Sequence, residues 1–318
     1  MQGLTLVAFL RQNGLLIGFA FFVLLVALDA PAMLSLNNVM SVLRQISIIG
    51  VIAIGVTFVV VTGRLDLSVG SGLTLLTVLV VEQHNALGPG GAVLITLLAG
   101  AGIGAWNGLL IGYFRLNALI VTLAMLSLLQ GVTLWYSGGA NVNVQGAAES
   151  WFPVIGRGAF LGIPVPVWIL LGTAIFASIL LGRSRFGRSV FAVGGNETAS
   201  NFSGIDSRAV VFSAYVISGI ATALGAIIMG SRVLGAQSTI GQGYELTVLA
   251  GIIIGGTSLL GGAGSIWRTV LGVAMLGFLN NGLLLMGYAY YVQWLVTWVV
   301  IIVAVWIDLA AKRGRIFA

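Results

Sequence analysis

Few residues in this sequence can do chemistry, and they gather in two places. The first is Gly63-Arg-Leu-Asp-Leu-Ser-Val-Gly70, where Asp66 stands between two long apolar runs with Ser68 and Ser71 beside it. A carboxylate in such a setting is costly unless it has a partner or a purpose. Three uses are open to Asp66. Its oxygens could accept backbone N–H groups at the start of the next helix. It could pair with Arg64. With Ser68, it could mark a polar break beside a solute path, where non-helical backbone is tolerated because it lines water or protein. Asn107, Asn280 and Asn281 fall in the middle of other apolar runs. Asparagines there either hydrogen-bond between helices, worth about 0.6 kcal/mol on average, or line the same path.

The second place is the segment 183–208. It holds Arg183, Arg185, Arg188, Glu197, Asp206 and Arg208, six of the 22 charged residues in the chain (14 basic and 8 acidic). Within it, residues 196–204 read as a short capped helix. Asn196 suits the N-cap, Glu197 puts a negative charge at the positive end of the helix dipole, and Gly204 suits the left-handed position after the last turn. Ala199 and Phe202 are three apart and share a face. An aromatic residue there either anchors in a groove on a partner or tucks back against the chain's own helix ends.

Most catalytic chemistry is excluded by inventory. His84 is the only histidine, Lys312 the only lysine, and there is no cysteine. A histidine-rich or thiolate metal site, an HExxH zinc helix and a GxxxxGK[ST] phosphate loop all need residues the chain lacks. No metal or cofactor is expected, and energy from ATP would have to come from another polypeptide. His84 and Glu82, at the outer end of the third apolar run, read as solvated interfacial residues, and Glu149 and Glu245 as lying near or outside the membrane edge. Membrane enzymes need clustered His, Asp or Glu, so the chain is expected not to be an enzyme.

These residues must be positioned by a chain that is 59% apolar and 7% charged over 318 residues. A soluble domain carries about 25% charged residues, so the solvent here is lipid. The net charge of +6 is scattered between apolar runs and forms no face for nucleic acid. The first apolar run lacks a small-residue cleavage site and is expected to stay in the protein. A span needs roughly 20 apolar residues, and ten candidates emerge: about 14–34, 43–63, 67–83, 92–113, 117–136, 165–182, 209–230, 245–261, 265–287 and 289–310. The third and eighth are short and glycine-rich, and read as broken or partly spanning. With both termini inside, eleven basic residues (Arg11, Arg64, Arg115, Arg183, Arg185, Arg188, Arg208, Arg268, Lys312, Arg313 and Arg315) fall in cytoplasmic segments. Arg44, Arg157 and Arg232 fall outside, and this asymmetry is that of the positive-inside rule. The aromatics Trp135, Tyr136, Trp151 and Trp168 flank an outer segment, 137–164.

Asn107-Gly-Leu-Leu and Asn281-Gly-Leu-Leu are 174 residues apart. That offset lays spans 2–5 on spans 7–10. Copies separated by five spans run in opposite directions, so an inverted repeat about an axis in the membrane plane is expected. Gly100, Gly102, Gly104 and Gly108 echo a dinucleotide fingerprint, but no strand precedes them. They read instead as a surface for close helix packing.

The chain resembles the inner-membrane permease subunits of bacterial ABC importers, in the branch of the ribose, xylose, arabinose, galactose and autoinducer-2 permeases. The resemblance runs nearly end to end. It is carried by Gly55-Val-Thr-Phe-Val-Val-Val-Thr-Gly63, Asp66-Leu-Ser-Val-Gly-Ser71, Arg185-Phe-Gly-Arg188, Ala192-Val-Gly-Gly-Asn-Glu197 with Gly204-Ile205, and Ile254-Gly-Gly-Thr257 with Gly261-Gly262 and Gly264-Ser265. Where this chain has Arg64 the family commonly has an apolar residue. The resemblance implies one all-α transmembrane permease domain over 1–318 in the bacterial plasma membrane. It implies pairing with a second permease chain, the same or a paralogue, two ATPase subunits at the cytoplasmic face, and a periplasmic or lipid-anchored sugar-binding protein outside. The loop 183–208 would couple to the ATPase through Arg185, Gly187, Gly195, Asn196, Glu197, Ala199, Phe202 and Gly204, and the outer segment 137–164 would receive the binding protein. The solute would be a small sugar. A rival reading is an ATP-independent secondary transporter or channel, which would need an acidic relay; Asp66 is its one candidate.

Overall fold

The computed structural model describes residues 26–289 and 291–299, with residues 20, 23, 24 and 302 besides. Helix α1 (Leu36–Val61) starts at Ser35, whose hydroxyl accepts the Asn38 N–H, and from Ile46 onward it is buried on every side. A helix apolar all round belongs in the middle of a bundle. Helix α2 (Val69–Gly108) is broken at Gly88 (φ 78°, ψ 175°), next to Pro89. Glycine tolerates that φ and proline has no N–H to give. A straight helix of 40 residues would be about 60 Å long, yet Asn107 Nδ2 donates to Ser68 Oγ at 2.9 Å. The chain therefore doubles back at Gly88. Its two legs, 69–87 and 89–108, lie side by side where spans 3 and 4 are expected, and a π-helical turn, Leu109–Tyr113, closes the second.

Helix α3 (Ala118–Ser137) is capped by Asn117 Oδ1, which accepts the N–H groups of Leu119 and Ile120. The segment 138–164 that follows folds into a strand β1 (Val142–Asn143), a short helix α4 (Phe152–Arg157) and a tight hairpin of β2 (Ala159–Phe160) with β3 (Ile163–Pro164). Next come α5 (Val165–Arg183), α6 (Arg185–Gly195), α7 (Glu197–Phe202) and α8 (Ser207–Val233). Strand β4 (Gly235–Ala236) pairs antiparallel with β1. Helices α9 (Tyr244–Ile254) and α10 (Ile266–Leu285) follow, and residues 291–299 are helical again.

Among the described residues, six helices are long and apolar enough to cross a membrane: α1, α2 with its π turn, α3, α5, α8 and α10. The exposed residues of α3 and α5, such as Ile120, Leu128, Ile175 and Phe176, are apolar and suit contact with hydrocarbon. Nine of the 21 residues of the first expected span, 14–19 among them, lie outside the described residues, as does the end of the tenth. The eighth is shorter than expected: α9 has 11 residues and gives way to irregular chain over 255–265. Glycines account for the close contact of α2 with α8. Gly100, Gly104 and Gly108 of α2 lie on the backbone of Gly219, Tyr215 and Phe212 in α8, so that a methyl group at any of the three would overlap it. Gly102 faces open space, against expectation, because a four-residue period leaves it on the other side of the helix.

Two helices begin inside the bundle. Gly72, in the first turn of α2, faces Thr222 in the middle of α8. The Gly241 N–H, just before α9, donates to Thr74 Oγ1 at 3.0 Å, and a side chain at Gly241 would strike the Gly70 carbonyl. The starts of α2 and α9 thus cross level with mid-α8. Glu245, in the first turn of α9, rests on Gly70. This contact does not fit its expected place near or outside the membrane edge, because α9 starts deep in the bundle. His84 is likewise not solvated, as was expected of it. It is buried, with Nε2 at 2.8 Å from Ser150 Oγ and its ring 5.0 Å from that of Phe152, because the outer segment folds over it.

Candidate functional site

Asp66 sits in extended chain between α1 and α2, 3% exposed. One carboxylate oxygen accepts the Ser68 N–H at 3.1 Å and the Ser68 hydroxyl at 2.6 Å. The other accepts the Ser218 hydroxyl of α8 at 2.7 Å. Ser68 Oγ in turn accepts from Asn107, and Tyr215 Oη donates to the Leu65 carbonyl at 2.8 Å. A buried carboxylate is tolerable when both oxygens are hydrogen-bonded. Of the expected path residues, Asp66, Ser68 and Asn107 therefore form one cluster, joining both legs of α2 to α8. The local cap holds in part, through one backbone N–H. The pairing of Asp66 with Arg64 does not hold. The void among Asp66, Ser68 and Asn107 measures about 10 Å³, room for about one water molecule and too little for a solute. Sequence reasoning missed Ser218 and Tyr215, which lie in a span of ordinary composition and matter through a contact 150 or more residues away.

Asn280 and Asn281 stand elsewhere, and apart from each other. Asn281 and Asn38 exchange two hydrogen bonds, at 2.8 and 3.0 Å, which lock α10 to α1. Asn280 accepts from Thr297 Oγ1 at 3.3 Å and faces a separate pocket.

Arg64 turns the other way from Asp66. Its Nη2 donates to Glu197 Oε2 at 2.8 Å. Partial burial pushes the Glu197 carboxyl up, but the charge and hydrogen bond of Arg64 outweigh this and hold it below the usual glutamate value. Glu197 opens α7, whose N-cap is as expected: Asn196 Oδ1 accepts the Ala199 N–H at 2.9 Å. Gly204 takes φ +82°, also as expected. Ala199 is exposed, and Phe202 is 89% exposed, so Phe202 does not tuck back against the chain. Ahead of α7, the expected loop is helical. Ser184 Oγ accepts the Gly187 N–H at 2.9 Å to start α6. Gly187, Val190 and Val193 are buried while Arg185 and Arg188 point out. Spacing of three on the apolar side, after a serine cap, is the signal that could have found it. Gly187 lies under the Leu181 carbonyl, where a side chain would not fit, while Gly195 is exposed. Gly194 lies on the Val61 carbonyl, which also accepts the Gly262 N–H at 2.9 Å. The pair α6–α7 is thus seated on the end of α1, on the loop after α9 and, through Arg64, on the segment that carries Asp66.

No solved structure matches the chain. Curated relatives do. The ribose import permease protein of Escherichia coli (strain K12) is 40% identical over 310 residues, 95% of this chain and 94% of the relative. That of Bacillus subtilis (strain 168) is 39% identical over 300 residues, 94% of this chain and 93% of the relative. The L-arabinose ABC transporter permease protein of Azospirillum brasilense is 31% identical over 312 residues, 96% of this chain and 90% of the relative. Residues 38–305 match the family described as branched-chain amino acid transport system / permease component, so this chain, an apolar helical bundle with a helix pair seated on one end, belongs to that family of transport permeases.

Proposed function

We propose that the chain is the membrane subunit of an ATP-driven importer of a small sugar, coupled through α6–α7 to a separate ATPase. The observation that carries this reading is the exposed Phe202 on a capped helix that is tied by Arg64–Glu197 to the Asp66 segment. A force applied at α7 has a bonded route to the place where α2 and α9 begin. The ribose and arabinose permeases among the relatives favour a sugar over the amino acids of the family's description. ATP binding in the partner would draw α7, and the two halves of the bundle would rock about the crossing at Gly70 and Gly241. Asp66, Ser68 and Asn107 hold that crossing together, while Arg185, Gly187, Gly195, Asn196, Glu197, Ala199, Phe202 and Gly204 shape the coupling surface.

The ten-span inverted repeat belongs to this proposal. The order of long helix, helix starting inside the bundle and full-length helix occurs at α1, 69–87 and 89–108, and again at α8, α9 and α10. The starts of 69 and 244 are separated by close to the expected offset. A single domain over 1–318, termini on the cytoplasmic side of the plasma membrane, a second permease chain and an external sugar-binding protein complete the assembly, and ATP hydrolysis stays on the partner chain.

The test is uptake of D-ribose and L-arabinose by proteoliposomes holding the chain with its ATPase and binding protein. Uptake should require ATP. Phe202→Ala should cut uptake at least tenfold while the variant still inserts and ATP is still hydrolysed. Uptake that persists without ATP would instead support the secondary-transporter reading and make Asp66 the residue to replace next.

A further inference from the structure

We infer that the sugar is held, as it crosses, in the pocket between α1, α9, α10 and the helix over 291–299; the inference rests on the importer reading above. The pocket measures about 260 Å³, below the range of roughly 300–1,000 Å³ that suits drug-sized ligands and in keeping with a single-ring solute. Its polar lining is four side-chain amides, Gln45, Gln242, Asn280 and Gln293, with hydroxyls from Thr247 and Thr297. Its aromatic lining is Tyr244, Trp294 and Trp298. An amide both donates and accepts, as each sugar hydroxyl does. The indole rings offer flat apolar faces for the C–H side of a sugar ring. No Asp, Glu, Lys or Arg lines the pocket among the described residues, so nothing there would neutralise an amino acid's two charges. The lining chemistry selects a neutral polyol.

The depth fits a crossing solute. Gln45 lies sixteen residues from the Val61 end of α1, about 24 Å, and Asn280 fourteen residues from the Ile266 end of α10, about 21 Å. Both distances run from the end where α6 and the Gly262 loop are seated. Amides at the depth of Gln45 and Asn280 are costly in hydrocarbon and are accounted for by a wet path. The pocket also opens at the start of α9, where Gly243 (φ +82°) lies beside the Trp294 ring. Rocking about the α2–α9 crossing would therefore change its shape.

Asn280 and Asn281 provide the test. They are neighbours, but Asn280 lines the pocket while the Asn281 amide is engaged by Asn38. The chain has no cysteine, so Asn280→Cys and Asn281→Cys can each carry a single thiol in the full importer, compared only in complexes that retain the ATPase. A charged methanethiosulfonate reagent should modify Asn280→Cys at least tenfold faster than Asn281→Cys. Saturating D-ribose (L-arabinose if that is the sugar imported) should slow the reaction severalfold, and L-leucine should not. Independently, Trp294→Ala should raise the sugar concentration needed for half-maximal uptake at least fivefold. Unprotected modification at 280, or unchanged uptake by Trp294→Ala, in a complex that imports sugar with ATP, overturns the pocket and leaves the importer reading standing. Protection by leucine in place of sugar overturns the choice of solute. A wild-type complex that imports neither sugar with ATP overturns the importer reading and the pocket with it.

Discussion

Arg64 and Glu197 join segments 133 residues apart through a 2.8 Å contact, and the pair gives the seating of α7 a pH dependence with a definite sign. Glu197 has a folded-state pKa below its ordinary value. Its contribution is therefore fully present above the ordinary glutamate pKa, about 4.3, and is lost as pH falls through the lower folded-state value. The pair is part-exposed, and such pairs contribute up to about 1 kcal/mol. Arg64→Met should lower the melting temperature of the purified chain by a few degrees at neutral pH. The gap should close as pH falls below the carboxylate range, and a gap unchanged at low pH would mean that Arg64 acts by packing alone. This pairing was not legible in the sequence. Spacing suggests Asp66, two residues away, as the partner of Arg64. The buried hydroxyls of Ser68 and Ser218 satisfy the carboxylate without bringing a guanidinium inside, and desolvating a second charge would have cost more. The cap of α7 was legible, because Asn196, Glu197 and Gly204 act through local backbone geometry alone.

At the scale of elements, the contact of α2 with α8 depends on which face each glycine occupies. Lipid gives helices no hydrophobic reason to associate, so close backbone approach must do it. Gly104 lies under the Tyr215 carbonyl, while Gly102, two residues earlier, meets nothing within 4 Å. Gly104→Val should therefore force the helices apart and destabilise by about 1–3 kcal/mol or more. Gly102→Val should leave thermal stability in detergent within about 0.5 kcal/mol of the original. Equal losses would show that helix propensity decides the outcome, and close packing does not. Long apolar runs made the spans at 117–136, 165–182 and 209–230 legible almost to their ends, while the span at 43–63 was placed seven residues late at its start, where α1 opens on the polar Asn37 and Asn38. Three features were not. The short α9 is hidden because the irregular chain after it, 255–265, is itself apolar and glycine-rich. The helix α6 is hidden because its arginines mask the apolar stripe of Gly187, Val190 and Val193. The fold of the outer segment over His84 depends on contacts made across 60 or more residues, such as Asn85 Oδ1 with the Gln145 N–H.

For the whole molecule, the question is which end faces the ATP. Helix α8 fixes the two ends. At its start, Asn201 Oδ1 of α7 accepts the Ser207 N–H at 3.2 Å. At its finish, Ser231 Oγ accepts the Gly156 N–H of α4 at 2.7 Å. The 24 residues of α-helix from Ser207 to Ser231 separate the two by about 36 Å, more than a bilayer's hydrocarbon thickness of about 30 Å. So α7 and α4 lie at opposite ends of the bundle. Arg64, Arg115, Arg183, Arg185, Arg188, Arg208 and Arg268 lie toward the α7 end, and Arg44, Arg157 and Arg232 toward the α4 end. Positive charge is retained on the cytoplasmic side, so the α7 end should face inward. Thr198 of α7 and Ala148 of the outer segment are both exposed and can each carry a single thiol in this cysteine-free chain. In intact spheroplasts a membrane-impermeant maleimide should label Ala148→Cys at once, and Thr198→Cys only after the membrane is opened. The reverse pattern would put the coupling helix on the side without ATP, and no partner ATPase could then reach Phe202. That single result would remove the importer reading, whatever sugar the pocket near Asn280 holds.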